Sequence, residues 1–80
     1  MLQTGKFVWK DSSAYLMYTA DLESGIFHVE SSDEVGFEFL NSINVGDKVA
    51  LLKGNGELSL LITTLTLAGP RILCQAVIAD

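Results

Sequence analysis

The segment between Glu57 and Arg71 most constrains the fold, because no charged residue lies between these two positions. It holds two successive apolar series with a period of two, which is typical of a β-strand. The first series is Leu58, Leu60 and Ile62, and the second is Leu61, Leu65 and Leu67. A strand over residues 58–67 has a length of about 30 Å. Because its apolar face changes near residues 61–62, we expect it to be bent or bulged and to serve two sheets of a small barrel or sandwich.

Turn residues on both sides of this segment predict its neighbours. An Asn-Gly pair at residues 55–56 favours a two-residue hairpin turn, which requires positive φ at its central positions. With these two residues as the loop, Leu51 faces Leu60 and Val49 faces Ile62, so that all four side chains share one face.

A second hairpin is predicted after this segment, where Gly69-Pro70 turns the chain. The apolar residues of the following strand then alternate against those of the uncharged segment. The predicted pairs are Ile72 with Leu67, Cys74 with Leu65, Ala76 with Thr63, and Ile78 with Leu61.

Six strand-like segments are separated by turn residues along the chain. They are residues 6–10, 15–20, 26–30, 48–53, 57–67 and 72–78. We expect the turn after the first of them at residues 11–13 (Asp-Ser-Ser). There is no linker, repeat or low-complexity tract, so residues 1–80 are expected to form one small β-rich domain.

Residues 31–43 allow two interpretations. As a helix, the segment starts with Ser31 as N-cap and Glu34 closing a capping box. Its apolar stripe is then Val35, Phe39, Leu40 and Ile43. As a strand, Val35, Phe37 and Phe39 alternate with Gly36 and Glu38. We favour the helix over residues 32–43, because the capping box is an independent signal.

The expected fold is therefore mainly β, a small antiparallel barrel or sandwich of about six strands with one short helix. The alternative is an α+β fold, in which the helix packs on one face of an antiparallel sheet.

Composition adds an expectation about assembly. Hydrophobic residues make up 49% of the chain and charged residues 19%, which is more apolar surface than one small core can cover. The two strands over residues 58–78 carry apolar residues on both faces. We therefore expect a homodimer, because a two-fold interface buries a self-complementary patch. The candidate interface residues are Leu61, Leu65, Leu67, Ile72 and Ile78.

Charge placement points to a second kind of contact. The net charge is −5, and the stretch from Asp11 to Asp47 contains eight acidic residues but no Lys or Arg. Direct binding of nucleic acid is disfavoured, because phosphate contacts require basic side chains. A basic protein partner fits this charge. The candidate contact residues are the acids Asp21, Glu23, Asp33, Glu34 and Glu38, and the aromatics Trp9, Tyr15, Tyr18 and Phe37, since Tyr and Trp often anchor interfaces.

No motif for catalysis, a metal or a cofactor is found. His28 is the one histidine, and Glu30 is the carboxylate nearest in sequence that could orient it. Cys74, the one cysteine, lies in an apolar alternating pattern typical of a buried residue. We therefore expect neither an enzyme nor a bound cofactor.

The compartment expected from the sequence is the cytoplasm. The first residues lack the pattern of a signal peptide, no apolar run is long enough for a membrane helix, and a lone cysteine fits a reducing environment.

Three functions from different classes follow. The first is a non-enzymatic protein-interaction module, homodimeric and presenting an acidic surface to a partner protein. The second is an acidic decoy that inhibits a nucleic-acid-binding protein by occupying its basic groove. The third is a small-ligand-binding β-barrel, which His28 and the aromatic residues suggest.

Overall fold

Alternating apolar and polar side chains build six strands in the computed structural model, which describes residues 2–79. The elements are β1 (Gln3–Trp9), β2 (Ser12–Asp21), β3 (Ile26–Glu30), α1 (Glu34–Ser42), β4 (Lys48–Lys53), β5 (Gly56–Ala68) and β6 (Arg71–Ile78). The strands form a closed antiparallel barrel in the order β1-β2-β3-β6-β5-β4. The predicted mainly β barrel with one short helix is confirmed, in place of the sandwich and the α+β alternatives.

The barrel closes between β1 and β4, through its shortest ladder. The three residue pairs of this closing ladder are Lys6–Leu52, Phe7–Leu51 and Val8–Ala50. By comparison, β1 and β2 share seven pairs. The turn between them is tighter than predicted, since it consists of Lys10 and Asp11 and Trp9 already faces Ser12. A short ladder has few backbone hydrogen bonds, so closure depends on the side chains that pack behind it.

Side chains from all six strands and from the helical segment fill the interior. The buried core consists of Phe7, Ala14, Leu16, Tyr18, Phe27, Val29, Phe39, Leu40, Ile43, Val49, Leu51, Leu60, Ile62, Ile72, Cys74 and Ala76. Three of these rings contact one another. The rings of Phe7 and Tyr18 meet edge to face with centroids 5.8 Å apart, and Tyr18 stacks on Phe27 at 6.1 Å. Both geometries are favourable for aromatic pairs.

The hairpin of β4 and β5 has a different turn from the predicted one. Residues 54–55 form the loop, so Leu51 faces Leu58 and Val49 faces Leu60. The predicted register was wrong by two residues, but a shift of two leaves every side chain on its predicted face. The reason lies in Gly54, which has a φ of 59°, whereas Asn55 and Gly56 have no positive φ. A positive φ at the first central position alone is typical of a II′ turn.

This turn gives a testable prediction. Gly54→Ala should lower the free energy of unfolding by about 1 kcal/mol, because a side chain disfavours left-handed φ. Gly56→Ala is the matched control, since Gly56 has no positive φ and an added Cβ meets nothing within 4 Å. The control should stay within about 0.5 kcal/mol of the wild type. Urea unfolding measures both variants, and a larger loss for Gly56→Ala would contradict this turn.

The change of apolar face in β5 is confirmed, and its cause is a bulge. Two pairs follow the predicted register, Leu65–Cys74 and Leu67–Ile72. The register then shifts by one residue between Ile62 and Thr64, so Ala76 faces Ile62. The predicted partner of Ala76, Thr63, is the extra residue of the bulge, and pairs beyond it are displaced accordingly. A bulge bends the strand, which lets β5 follow the barrel wall from β4 to β6.

The ambiguous segment is a helix, but its N-cap was predicted wrongly. Asp33 is the N-cap, and its Oδ1 accepts a hydrogen bond from the N–H of Gly36 at 2.8 Å. Ser31 instead lies two residues before it and is buried. There it pairs with β6: its N–H donates to the carbonyl of Ile72 at 3.2 Å, and its Oγ accepts from the N–H of Ile72 at 2.9 Å.

The buried face of α1 also starts later than predicted. Phe39, Leu40 and Ile43 are buried as expected, whereas Val35 is 61% exposed. Gly36 takes the place of Val35 in the contact with the barrel. A Cβ on Gly36 would lie 2.8 Å from Cδ2 of Leu16, so the first turn of α1 approaches β2 through a residue without a side chain.

Candidate interaction surfaces

Three of the predicted acidic contact residues lie together on the outer side of α1. We call Asp33, Glu34 and Glu38 the helix acidic group. All three are exposed, and Glu34 is favoured in the first turn by the positive end of the helix dipole. Within residues 2–79 the one ion pair joins Glu30 to Arg71, at 3.8 Å. The helix acidic group therefore has no basic partner in that part of the chain.

An open groove lies beside this group, between the start of α1 and the turn from β5 to β6. Its volume is about 480 Å³, and we call it the helix groove. The lining residues are Ser31, Ser32, Asp33, Glu34, Phe37, Gly69, Pro70 and Arg71. Phe37, predicted as a contact residue, is half-buried in it. Sequence reasoning missed the wall formed by Pro70 and Arg71, because that wall comes beside α1 only through the pairing of β3 with β6.

The other two predicted acids, Asp21 and Glu23, form a separate hairpin acidic group in the turn between β2 and β3. Oδ1 of Asp21 accepts from the N–H of Glu23 at 3.0 Å and from that of Ser24 at 3.4 Å. A hydrogen bond from the Ser24 side chain, and then these backbone bonds, lower the pKa of Asp21. The five residues of β3 separate the two acidic groups by about 16 Å. The acids therefore form two groups instead of one continuous surface.

Three of the five basic residues lie on the other side of the barrel. Lys6 is on β1, and Lys48 and Lys53 are on β4. In the closed order of six strands, β4 is opposite β3, and α1 packs against the two neighbours of β3, which are β2 and β6. Acidic residues thus predominate around β3 and α1, with Arg71 among them, and three lysines lie around β4, next to Asp47 and Glu57.

The aromatic candidates differ in exposure. Tyr18 is only 2% exposed and its OH donates to Oε1 of Gln3 at 3.2 Å, so it belongs to the core and not to a contact surface. It faces inward because β2 alternates strictly here. Tyr15 is 63% exposed. Trp9 is half-buried, with Nζ of Lys10 at 4.6 Å from its ring centroid, a cation–π distance.

The dimer candidates also differ in exposure. Ile72 is 5% exposed and belongs to the core, so it is not available to a second copy. Leu61 and Leu65 are half-buried. Leu67 and Ile78 are 69% and 46% exposed. The available apolar surface therefore lies toward the ends of β5 and β6.

The two residues weighed for chemistry, His28 and Cys74, lie on the paired strands β3 and β6 but face opposite sides of the barrel wall. His28 is exposed on the outer wall of the barrel, where it faces Thr19 and Gln75, and Glu30 pairs with Arg71. Cys74 is buried, which raises the pKa of its thiol to about 12 and keeps it protonated. Within residues 2–79, no group of three or more His, Cys, Asp or Glu side chains is placed to hold a metal ion.

Comparisons of the chain with protein-family models, with curated proteins and with solved structures gave no match. In the described part of the chain, no helix has the length and apolar character required to cross a membrane.

Proposed function

We propose that the protein is a non-enzymatic interaction module that works as a homodimer and presents the helix acidic group to a basic segment of a partner protein. The observation that carries this proposal is the position of exposed carboxylates that form no ion pair within residues 2–79, beside the helix groove, where the nearby Arg71 is paired with Glu30. A Lys or Arg side chain has an apolar stem and a charged end. In the helix groove, Phe37 and Pro70 can contact the apolar stem of such a side chain, and Asp33 and Glu34 can pair with its charged end.

The charge separation across the barrel supports the same proposal. Acidic residues flank β3, and three of the lysines lie on β1 and β4. The charge distribution is therefore asymmetric across the barrel. Such a field orients a basic partner toward the helix groove before contact. It also repels nucleic acid from that side, because phosphates carry the same sign of charge.

Two further parts of the proposal rest on side-chain chemistry. The buried, protonated thiol of Cys74, which faces inward while His28 is exposed on the outer wall, argues against nucleophilic catalysis. We propose the cytoplasm as the compartment, since a lone thiol is compatible with reducing conditions. An inhibitor that occupies the basic groove of a nucleic-acid-binding protein is a special case of this function.

The test is binding of a peptide probe that alternates lysine with apolar residues. Asp33→Asn with Glu34→Gln should weaken binding about two- to thirtyfold, because each exposed ion pair contributes about 0.2–1 kcal/mol. Asn retains the N-cap at position 33, so the helix should persist. Affinity should also fall as salt is added, since exposed charges are screened. Calorimetric titration at two salt concentrations measures both effects.

The matched control is Asp21→Asn with Glu23→Gln, which removes the same charge from the hairpin acidic group. It should change the affinity of the probe by less than about twofold. If the two double variants weaken binding equally, only net charge matters and the helix groove is not the contact surface. Affinity that does not vary with salt would also contradict the proposal.

A further inference from the structure

The end of β5 is paired on one side only. β5 has 13 residues and β4 has six. The ladder between them ends where Lys48 faces Leu61, and the N–H and carbonyl of Ile62 then bond to Asp47 and Gly46. Residues 63–68 continue beside β6 alone. Within residues 2–79, no backbone hydrogen bond joins the other side of this segment to another element. We call residues 63–68 the open edge.

The open edge lacks two of the features that usually prevent strand pairing, charged side chains and proline. Natural edge strands carry charged side chains or proline, or have a bulge within them. Residues 63–68 read Thr-Thr-Leu-Thr-Leu-Ala, without charge or proline, and the bulge lies at their start. Threonine favours extended structure. Five of the six residues are exposed, including Leu67 at 69%.

A shallow groove runs along this edge. It has a volume of about 200 Å³ and lies between α1 and the strands. Its lining residues are Leu40, Asn41, Ile43, Leu65, Thr66, Leu67 and Ile72. The groove offers apolar contacts at the place where an added strand would put its side chains, so backbone and side-chain contacts are available together.

We infer that a second copy of this chain occupies the open edge, by antiparallel pairing of β5 with β5. This inference rests on the homodimeric part of the proposed function and specifies its surface. Charge favours this occupant: the protein carries −5 overall, but the open edge is neutral. Two copies that meet here bring no charged side chains of the open edge together, and a charged peptide would gain no ion pair with it.

The sequence of the open edge is also self-complementary. A two-fold axis that sets Thr66 against Thr66 of the second copy sets Leu65 against Leu67 on each side of it. Each Leu65–Leu67 pair can exchange two backbone hydrogen bonds. The leucine of the second copy then enters the groove beside Leu40 and Ile43. The pairing joins two barrels into one continuous sheet at this position, which is the isologous contact of a two-fold dimer.

Sedimentation equilibrium of the full chain at micromolar to submillimolar concentrations tests the inference. We expect a dimer, and Leu67→Lys should raise its dissociation constant by about tenfold or more, because lysine blocks edge pairing. Leu22→Lys is the matched control, since Leu22 is 92% exposed in the turn between β2 and β3, and it should leave the constant unchanged. Ile78→Lys probes the other exposed dimer candidate and should also leave it unchanged.

Amide hydrogen exchange on the wild type gives a second readout that needs no variant. The N–H groups of Leu65 and Leu67 should exchange more slowly as protein concentration rises, because dimer contacts protect them. A dimer that Ile78→Lys dissociates and Leu67→Lys does not would overturn the open edge and keep the homodimer. A wild type that stays monomeric would overturn both the pairing at the open edge and the homodimer. An extended segment of another protein would then be the remaining occupant of the open edge. Binding of the lysine probe to the helix groove is measured separately, so failure of the open edge can be distinguished from failure of that contact.

Discussion

Phe7→Ala is expected to lower the free energy of unfolding by about 3–5 kcal/mol, the range for removal of a buried phenylalanine ring. An 80-residue domain has a total stability of about 4–12 kcal/mol. The variant should therefore be largely unfolded at moderate denaturant concentrations where the wild type is folded.

The position of Phe7 in the closing ladder explains the size of this effect. Phe7 is 1% exposed, and its ring contacts Tyr18 edge to face. It is also the central residue of the ladder between β1 and β4, where it faces Leu51. Because the ladder between these strands has only three pairs, the packing of the ring behind it contributes to closure of the barrel. Its loss would leave a cavity behind the shortest ladder.

Urea unfolding followed by circular dichroism measures this loss. Tyr15→Ala is the control, because Tyr15 is also an aromatic residue facing β1 but is 63% exposed, and its removal should cost no more than about 0.5 kcal/mol. Phe7→Leu should fall between, at about 1–1.5 kcal/mol, and stays measurable if the alanine variant does not fold. Equal stability of Phe7→Ala and Tyr15→Ala would show that the closing ladder does not depend on this ring.

Much of the barrel could be predicted from local patterns. The alternation of apolar residues predicted that Val49, Leu51, Leu60 and Ile62 share one face, and all four are buried. The exchange of apolar phase in β5 predicted its bulge. These features depend on residues close in sequence, whose geometry the chain itself restricts.

The errors came from contacts between distant residues. Glycine tolerates positive φ at residue 54 or 56, and the register of β4 against β5 places it at residue 54. Val35 was expected inside, but the packing of α1 against β2 places Gly36 against Leu16 instead. No local pattern contains the position of β2 relative to α1, so this choice could not be made from the sequence.

The candidate surfaces were predicted only as sets of residues. The charge pattern identified the acids, but their division into two groups depends on β3 lying between them. Pro70 and Arg71 joined the helix groove through tertiary structure. The open edge had a signal that was not used: the predicted strand over residues 57–67 is longer than the one over 48–53, so part of it must lack a partner on one side.

Ser31→Ala is expected to lower the free energy of unfolding by about 1–3 kcal/mol, because it leaves a buried backbone donor without its acceptor. Ser31 is 1% exposed and is the one buried polar side chain in the described residues. Its Oγ accepts from the N–H of Ile72 at 2.9 Å, while its own N–H bonds back to the carbonyl of Ile72. This reciprocal pair joins the chain before α1 to β6.

A set of variants at residues 31 and 32 separates this role from the N-cap that the sequence pattern indicated. Ser32→Ala is the control, since Ser32 is exposed, and its effect should stay within about 0.5 kcal/mol. Asparagine is as good an N-cap as serine, so Ser31→Asn would be tolerated if Ser31 capped α1. In a buried site the larger amide must displace its neighbours, so we expect Ser31→Asn to cost at least as much as Ser31→Ala. Urea unfolding of the three variants distinguishes the two roles. A stable Ser31→Asn protein beside a destabilised Ser31→Ala protein would show that Ser31 is the N-cap of α1.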